Sequence, residues 1–337
     1  MSSGFLNSPP AKPILSVRDL KVHFRIGKKM FSKEPKAVLK AVDGVSFELG
    51  SGETLGLVGE SGCGKSTLGR AVLRLLPNVQ GNVVWKGQNL VTLPPEEVRQ
   101  RRKELQIIFQ DPLASLNPRM TVGEIIAEPL RTFQPNLDRT TARKIVQDMM
   151  AKMGLLPSQI NRYPHEFSGG QCQRIGIARA MVNNPQLIVC DEPVSALDVS
   201  IQAQIVNLLM DLQREKRLSL IFISHNLSVV RHISHRIMVL YLGKVVELTD
   251  RDRLYLNPRH PYTKALISAV PLPDPNKEQH KKQLVISGEL PSPLNPPSGC
   301  TFRTRCPLAT SVCAEKIPPL EQIEPNHWVA CHHWDQV

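Results

Sequence analysis

The stretch that most constrains this chain is GESGCGKST at residues 59–67. It fits the spacing G-x-x-x-x-G-K-[ST], and it lies between an apolar run typical of a strand and a segment with helical periodicity. Glycines let successive backbone N–H groups converge on an anion, and the helix N-terminus adds partial positive charge. The stretch therefore predicts a phosphate-binding loop between a strand and a helix.

The same loop supplies candidate ligands for ATP and its magnesium ion. We expect Lys65 to reach the β- and γ-phosphates and the Ser66 hydroxyl to bind Mg²⁺. The other loop residues expected to contact ATP are Gly59, Ser61, Gly62, Cys63, Gly64 and Thr67.

A second candidate site is the acidic end of the apolar run 187–190. Asp191 follows four apolar residues, so we expect it at the end of a buried strand, where it can hold Mg²⁺ through water. Glu192 is then placed to polarise the water that attacks the γ-phosphate. The alternative is an acidic cap for the following helix, and the phosphate loop favours the catalytic interpretation.

Two more polar residues follow apolar runs in the same way. Gln110 follows residues 105–109, and its carbonyl oxygen can sense Mg²⁺ or the attacking water. His225 follows residues 218–224 and can donate a hydrogen bond to the γ-phosphate as a neutral imidazole. A purely structural role is the alternative for His225, but ligands bind at the ends of strands in open α/β sheets.

The pattern along the chain predicts an α/β fold. The apolar runs 105–109, 186–190 and 218–224 have the composition of strands buried on both faces, and helical stretches separate them. We expect an ATPase domain over residues 13–250, with a helical subdomain at about 111–184. Thirteen of the 28 prolines lie after residue 250, so we expect residues 251–337 to form an irregular extension.

Net charge and hydropathy exclude few classes of function. The 42 basic and 30 acidic residues give a net charge of +12, which suits nucleic acid, an anionic membrane face or nucleotide phosphates. No window approaches 18 uninterrupted apolar residues, and the N-terminus lacks the pattern of a secretory signal. We therefore expect a cytoplasmic protein that does not itself cross a membrane.

The order of these elements carries a family resemblance. The phosphate loop, Gln110, FSGGQ at 167–171, the acidic pair and His225 follow one another, with SALD at 195–198. Over residues 13–250 the chain resembles the ATP-binding subunits of ATP-binding-cassette (ABC) transporters. The resemblance implies an ABC-type P-loop nucleotide-binding domain with a helical subdomain.

It also implies that two subunits face each other head to tail. ATP would then lie between the phosphate loop of one subunit and the signature of the other, which comprises Ser168, Gly169, Gly170 and Gln171. Because SGGQ is expected to open a helix, its amides and the Ser168 hydroxyl can meet the γ-phosphate. In this family an aromatic residue stacks on adenine; Phe24 is the candidate, with Phe31 as the alternative.

Three segments, two of them in the C-terminal tail, indicate a subgroup of this family. Residues 111–130, 257–271 and 288–300 are similar to the ATPases of oligopeptide and dipeptide permeases. This implies an ATP-hydrolysing importer subunit at the cytoplasmic face of the bacterial inner membrane. Its partners would be a second, different ABC ATPase, two transmembrane permease subunits and an extracytoplasmic peptide-binding protein, with no nucleic acid. Asn226 departs from the Asp that is common in the family.

A different class of function stays open beside this one. A soluble ABC ATPase acting on nucleic acid or ribosomes would tolerate the positive charge. Such proteins usually carry a coiled-coil insertion or two cassettes in one chain, and the sequence contains neither.

Four cysteines lie close together in the tail. Cys300, Cys306, Cys313 and Cys331 are separated by five, six and seventeen residues, which in a cytoplasmic segment argues for metal rather than disulfides. A zinc ribbon normally shows C-x₂-C pairs, whereas four thiolates on irregular loops can bind a [4Fe–4S] cluster. The family resemblance favours the iron–sulfur cluster; zinc, no metal, and an added redox-sensing role remain alternatives.

Overall fold

The computed structural model describes residues 13–26, 37–271, 284, 286 and 288–337. The strands in these ranges are β1 (Leu15–Ile26), β2 (Ala37–Leu49), β3 (Thr54–Val58), β4 (Val79–Trp85), β5 (Gln88–Asn89), β6 (Leu105–Ile108), β7 (Leu187–Asp191), β8 (Ser219–Ile223), β9 (Arg236–Tyr241), β10 (Lys244–Asp250), β11 (Glu321–Glu324) and β12 (His327–Val329).

The helices in the same ranges are α1 (Lys65–Val72), α2 (Pro95–Arg101), α3 (Val122–Phe133), α4 (Arg139–Lys152), α5 (Gly169–Met181), α6 (Val199–Lys216), α7 (Leu227–Ile233), α8 (Arg251–Leu256), α9 (Pro261–Ser268) and α10 (Ser311–Glu315). Short 3₁₀ turns occur at Pro157–Asn161, Pro164–Glu166 and Trp334–Gln336. No helix among the described residues is both long and apolar enough to cross a membrane.

The strands form two sheets. One has the order β2-β1-β4-β5, and the other has the order β11-β12-β10-β9-β3-β8-β7-β6. In the larger sheet β3 pairs with β9 in parallel, as β6 does with β7, whereas β9, β10, β12 and β11 pair antiparallel in turn. Every residue of β3, β7 and β8 is buried, which confirms the predicted two-sided burial of the last two strands.

The chain divides into two compact units, which we describe separately. The first contains the described part of Met1–Val17, together with Phe47–Thr54 and Asn82–Ile221. The second contains Leu55–Gly81 and the described parts of Arg18–Ser46 and Phe222–Val337.

The first unit holds the segment that was predicted to be helical. Helix α3 packs on both α4 and α5, and their apolar faces are buried. Thr121 and Ser168 begin α3 and α5 with reciprocal capping boxes, which satisfy backbone N–H groups that a helix start leaves without partners.

The second unit holds the C-terminal extension, which is more regular than its prolines predicted. It contains α8, α9, α10 and a hairpin of β11 and β12, and β12 pairs with β10 with Glu247 opposite Val329. The prolines are compatible with these elements because Pro261 occupies the first turn of α9 and Pro325 lies between the two hairpin strands. The expectation of an irregular tail was therefore wrong for these segments.

Candidate functional site

The phosphate loop in the second unit has the predicted strand–loop–helix geometry. It leaves β3 after Val58 and enters α1 at Lys65. Gly59 and Gly64 have φ angles of 150° and 104°, and a Cβ on them would collide with the carbonyl oxygens of Leu240 and Ala41, respectively. Only glycine allows this backbone path, because both the dihedral angle and the space exclude a side chain.

Lys65 is held inside its own loop. Its side chain is buried, and Nζ donates hydrogen bonds to the carbonyl oxygens of Gly59 and Glu60 at 2.8 and 2.9 Å. Nζ also lies 3.8 Å from the Cys63 sulfur. Burial nevertheless raises the pKa of the Cys63 thiol, so Cys63 stays protonated near neutral pH.

The other loop residues differ in exposure. Ser61 and Gly62 are exposed at the tip of the loop, whereas Ser66 and Thr67 are half-buried in the first turn of α1. The loop thus combines the ammonium group of Lys65 with the start of α1, and both features suit the binding of an anion.

His225 also belongs to the second unit, where it is exposed directly after β8. The next residue, Asn226, caps α7 by accepting hydrogen bonds from the backbone N–H groups of Ser228 and Val229 at 3.0 and 3.3 Å. An Asp side chain offers the same acceptor oxygen, so the departure from the family pattern keeps the cap. Phe24 is half-buried on β1, and Phe31 lies outside the described residues.

In the first unit, the residues that follow two paired strands meet. Strands β6 and β7 are parallel, with Ile108 opposite Cys190, so Gln110 and Glu192 emerge at the same edge of the sheet. The Gln110 amide donates a hydrogen bond to the Glu192 carboxylate at 3.2 Å. Asp191, the last residue of β7, is buried.

Glu192 has an unusual backbone. Its φ is +48°, in the left-handed region that non-glycine residues rarely adopt. The Glu192 carbonyl oxygen accepts hydrogen bonds from the N–H and the hydroxyl of Ser195 at 3.3 and 3.1 Å. Strain of this kind persists where surrounding contacts fix it, and it is concentrated at functional sites.

The signature opens α5, as predicted. Ser168 is the N-cap: its hydroxyl accepts from the Gln171 N–H at 3.3 Å, while the Gln171 side chain accepts from the Ser168 N–H at 2.9 Å. Ser168 and Gly169 are exposed, and Gly170 faces Ile201, whose side chain leaves no room for a Cβ. The first turn of α5 therefore presents a helix N-terminus on the surface of the first unit.

The four tail cysteines are all in the second unit and form no disulfide. The Cys300 N–H donates to the Cys313 carbonyl at 2.8 Å. Burial, with a smaller contribution from the charges of the other three cysteines, raises the pKa of Cys331 to about 12. Within the described ranges no three His, Cys, Asp or Glu side chains are arranged to hold a metal ion, so a metal at these cysteines stays a prediction.

One set of contacts to the phosphate loop was missed from the sequence. The Glu60 N–H donates to the Tyr262 hydroxyl at 2.8 Å, and Arg305 donates to both carboxylate oxygens of Glu60 at 2.8 and 3.0 Å. Tyr262 and Arg305 belong to the C-terminal extension. No local pattern could have revealed them because Arg305 and Glu60 are 245 positions apart.

Family models match both parts of the chain. The model described as ABC transporter matches residues 42–195, and that described as oligopeptide/dipeptide transporter, C-terminal region, matches residues 246–313. The oligopeptide transport ATP-binding proteins OppF of Salmonella typhimurium and Escherichia coli are each 62% identical over 322 residues, which cover 95% of this chain and 96% of each relative.

Solved structures agree in fold. The post-hydrolysis dimer of the ATP-binding cassette MJ0796 bound to ADP and Pi matches with a TM-score of 0.63 and 27% identity, over 70% of this chain and 98% of that one. Another dimeric MJ0796 structure matches with a TM-score of 0.62 and 26% identity over the same shares. The chain thus has the mixed α/β fold of an ABC nucleotide-binding domain, and it belongs to the ABC transporter ATP-binding subunits of the oligopeptide/dipeptide permease family.

Proposed function

We propose that this chain hydrolyses ATP to drive an importer of oligopeptides or dipeptides across the bacterial inner membrane. The observation that carries the proposal is the 62% identity to oligopeptide transport ATP-binding proteins over 95% of the chain. That span includes both the cassette and the C-terminal region that has its own transporter family model.

The residues of the cassette fit the reaction in which ATP and water give ADP and phosphate. Lys65 Nζ leaves the carbonyl oxygens of Gly59 and Glu60 when ATP binds. It then donates hydrogen bonds to oxygens of the β- and γ-phosphates. Ser66, Asp191 and Gln110 are oxygen donors of the kind Mg²⁺ prefers, and the bound ion supplies charge neutralisation at the phosphates.

Glu192 is the proposed general base, which accepts a proton from the attacking water. The hydrogen bond from Gln110 and the contacts of Ser195 hold its carboxylate and backbone in one orientation. His225 donates a hydrogen bond to the γ-phosphate and stabilises its developing charge. Phe24 stacks on the adenine.

A second ABC ATPase contacts each nucleotide from the side opposite the phosphate loop. The helix start formed by Ser168, Gly169, Gly170 and Gln171 supports this proposal, because its first two residues are exposed and a helix N-terminus suits an anion from another subunit. The related cassette MJ0796 is dimeric in the structure with ADP and Pi. We propose that ATP draws the two cassettes together and that hydrolysis lets them separate.

The wider assembly follows the family. We propose that the chain lies peripherally at the cytoplasmic face of the inner membrane, with two permease subunits and an extracytoplasmic peptide-binding protein. Residues 13–250 form the ATPase domain, with residues 111–184 as its helical subdomain, and residues 251–337 form the extension. Co-purification with membrane subunits supports this assignment, whereas co-purification with nucleic acid or ribosomes contradicts it.

The test of the proposed reaction is Glu192→Gln in the complete transporter. The variant keeps the size of the side chain but removes the base, so ATP binding should persist while ATP turnover and peptide uptake are lost. Glu215→Gln is the matched control, because Glu215 is exposed and forms ion pairs with Lys152 and Lys216, each 3.5 Å away. Peptide uptake by the Glu192→Gln complex would disprove the assigned role.

We also propose that Cys300, Cys306, Cys313 and Cys331 hold a [4Fe–4S] cluster. The support is the number and kind of the side chains, four thiols that form no disulfide, because the described side chains are not grouped around an ion in this structure. Protein purified without air should show the visible absorption of such a cluster, and Cys306→Ser should lose it. Colourless protein that contains zinc, or no metal at all, would contradict the proposal.

A further inference from the structure

Glu60 in the phosphate loop makes hydrogen bonds with the C-terminal extension. Its N–H donates to the Tyr262 hydroxyl, its carbonyl accepts from Lys65, and both of its carboxylate oxygens accept from Arg305. All of these groups lie in the second compact unit. The extension therefore fixes both the backbone and the side chain of a residue inside the phosphate loop.

Arg305 is well placed for this contact. Its side chain is 8% exposed, and its two bonds to Glu60 have the bidentate geometry that suits guanidinium and carboxylate. Nη1 also lies 3.5 Å from the Tyr241 hydroxyl. Partial burial limits screening by water and salt, so the pair interacts more strongly than one on the surface.

The loop that carries Arg305 is anchored by aromatic packing. The Phe302 ring lies 5.2 Å from the ring of Tyr241 and 5.3 Å from that of Tyr262. Tyr262 thus packs against the Arg305 loop and also accepts the Glu60 N–H. A rigid support of this kind holds the guanidinium in place without further ordering when the nucleotide binds.

The charge of Glu60 would be unfavourable without this partner. A carboxylate within a loop that binds phosphates repels them, and the repulsion acts over the short distances of such a loop. We propose that Arg305 is a positioning residue of the ATP site that neutralises Glu60, so that the C-terminal extension contributes directly to nucleotide affinity. The inference rests on the proposed function, in that the loop must bind ATP.

The residue that contacts Glu60 lies in a segment bounded by two of the tail cysteines. Arg305 lies between Cys300 and Cys306, directly before the second of them. The conformation of this short segment therefore sets the position of the guanidinium. A change in the segment would therefore act on the phosphate loop through the Arg305–Glu60 ion pair and through the contact of Phe302 with Tyr262.

The test measures ATP affinity in the full-length chain by titration with a fluorescent ATP analogue. Arg305→Gln should weaken binding about tenfold, because it leaves the Glu60 carboxylate unpaired beside the phosphates. ADP, which carries less charge, should be affected less than ATP. Adding Glu60→Gln to Arg305→Gln should return the affinity to within about twofold of the starting value, because the uncompensated charge is then removed.

Two control variants distinguish a failure of the inference about Arg305 from a failure of the proposed function. Arg303→Gln removes a positive charge from the same loop, where Arg303 donates to the Ser298 carbonyl at 2.9 Å, and it should leave affinity unchanged. Lys65→Ala should abolish binding if the loop holds ATP; if it does not, the proposed function fails. If Lys65→Ala abolishes binding but Arg305→Gln has no effect, or the double variant stays as weak as Arg305→Gln, the inference about Arg305 is overturned.

Discussion

The side-chain amide of Gln110 donates a hydrogen bond to the carboxylate of Glu192 across 3.2 Å. The two residues are 82 positions apart and meet because parallel strands β6 and β7 end at one edge of the sheet. Glu192 is further constrained by its left-handed backbone, with φ at +48°. The proposed base is thus held by a neighbouring strand as well as by its own turn.

Replacing Gln110 by Ala should lower ATP turnover by a larger factor than it weakens ATP binding. A hydrogen bond to a charged group contributes about 1.5–3 kcal/mol, which corresponds to a rate loss of about one to two orders of magnitude if the bond orients the base in the transition state. The measurement is steady-state ATPase activity beside nucleotide affinity. Gln106→Ala is the control, because Gln106 lies on β6, the strand that precedes Gln110, but donates to the Arg102 carbonyl. Equal turnover in the two variants would contradict the orienting role.

Replacing Ser168 by Ala should destabilise the protein and also impair ATP turnover. Loss of the cap costs about 1 kcal/mol of folding free energy, and loss of the hydroxyl removes a proposed γ-phosphate contact. Thr121→Ala removes the corresponding cap of α3, which is also a capping box, so a similar loss of stability is expected without the catalytic defect. Urea unfolding and ATPase assays of the assembled transporter measure the two effects. Matching ATPase activities would show that Ser168 acts only as a cap.

Low pH should destabilise the second unit, because His260 takes up a proton more readily in the unfolded state than in the folded state. Burial lowers the pKa of His260 to about 3, and its Nδ1 accepts the Tyr262 N–H at 3.1 Å, while Glu247 accepts the His260 N–H at 3.0 Å. The unfolded imidazole takes up a proton near pH 6.5, whereas the folded one does so only near pH 3. The neutral ring therefore contributes full stability above about pH 6.5, and this contribution falls by up to about 1.4 kcal/mol per pH unit as the pH drops towards 3.

The measurement for His260 is the free energy of unfolding in urea between pH 7.5 and pH 4.5. His260→Asn keeps an acceptor for the cap of α9 but has no ionisable ring, so its stability should fall less steeply with acid. The same pH dependence in both proteins would contradict the assignment.

Much of the secondary structure followed from the sequence because its signals are local. The apolar runs of β6, β7 and β8 were each predicted within a few residues. Helix α4 begins after the cap of Asp138, which accepts from the Thr141 N–H at 2.9 Å. That Asp is a local signal for the start of a helix.

Other elements gave weak local signals. Strand β4 contains Gly81 and Asn82, which interrupt its apolar pattern, and β5 has only two residues. The hairpin of β11 and β12 is short, and it is stabilised by pairing with β10 and by the buried contact of His327 with Glu247 at 2.8 Å. The hairpin depends on β10, which is distant along the chain, so composition alone predicted an irregular tail.

The sequence by itself determined the phosphate loop and the capped start of α5, because their defining contacts join residues at most six positions apart. Only the tertiary structure decided that Gln110 contacts Glu192 and that Arg305 pairs with Glu60. Those contacts depend on strand register and on the packing of the extension, which bring together groups 82 and 245 positions apart. Short-range geometry is encoded in neighbouring residues, whereas long-range contacts arise only when the whole chain buries its apolar surface.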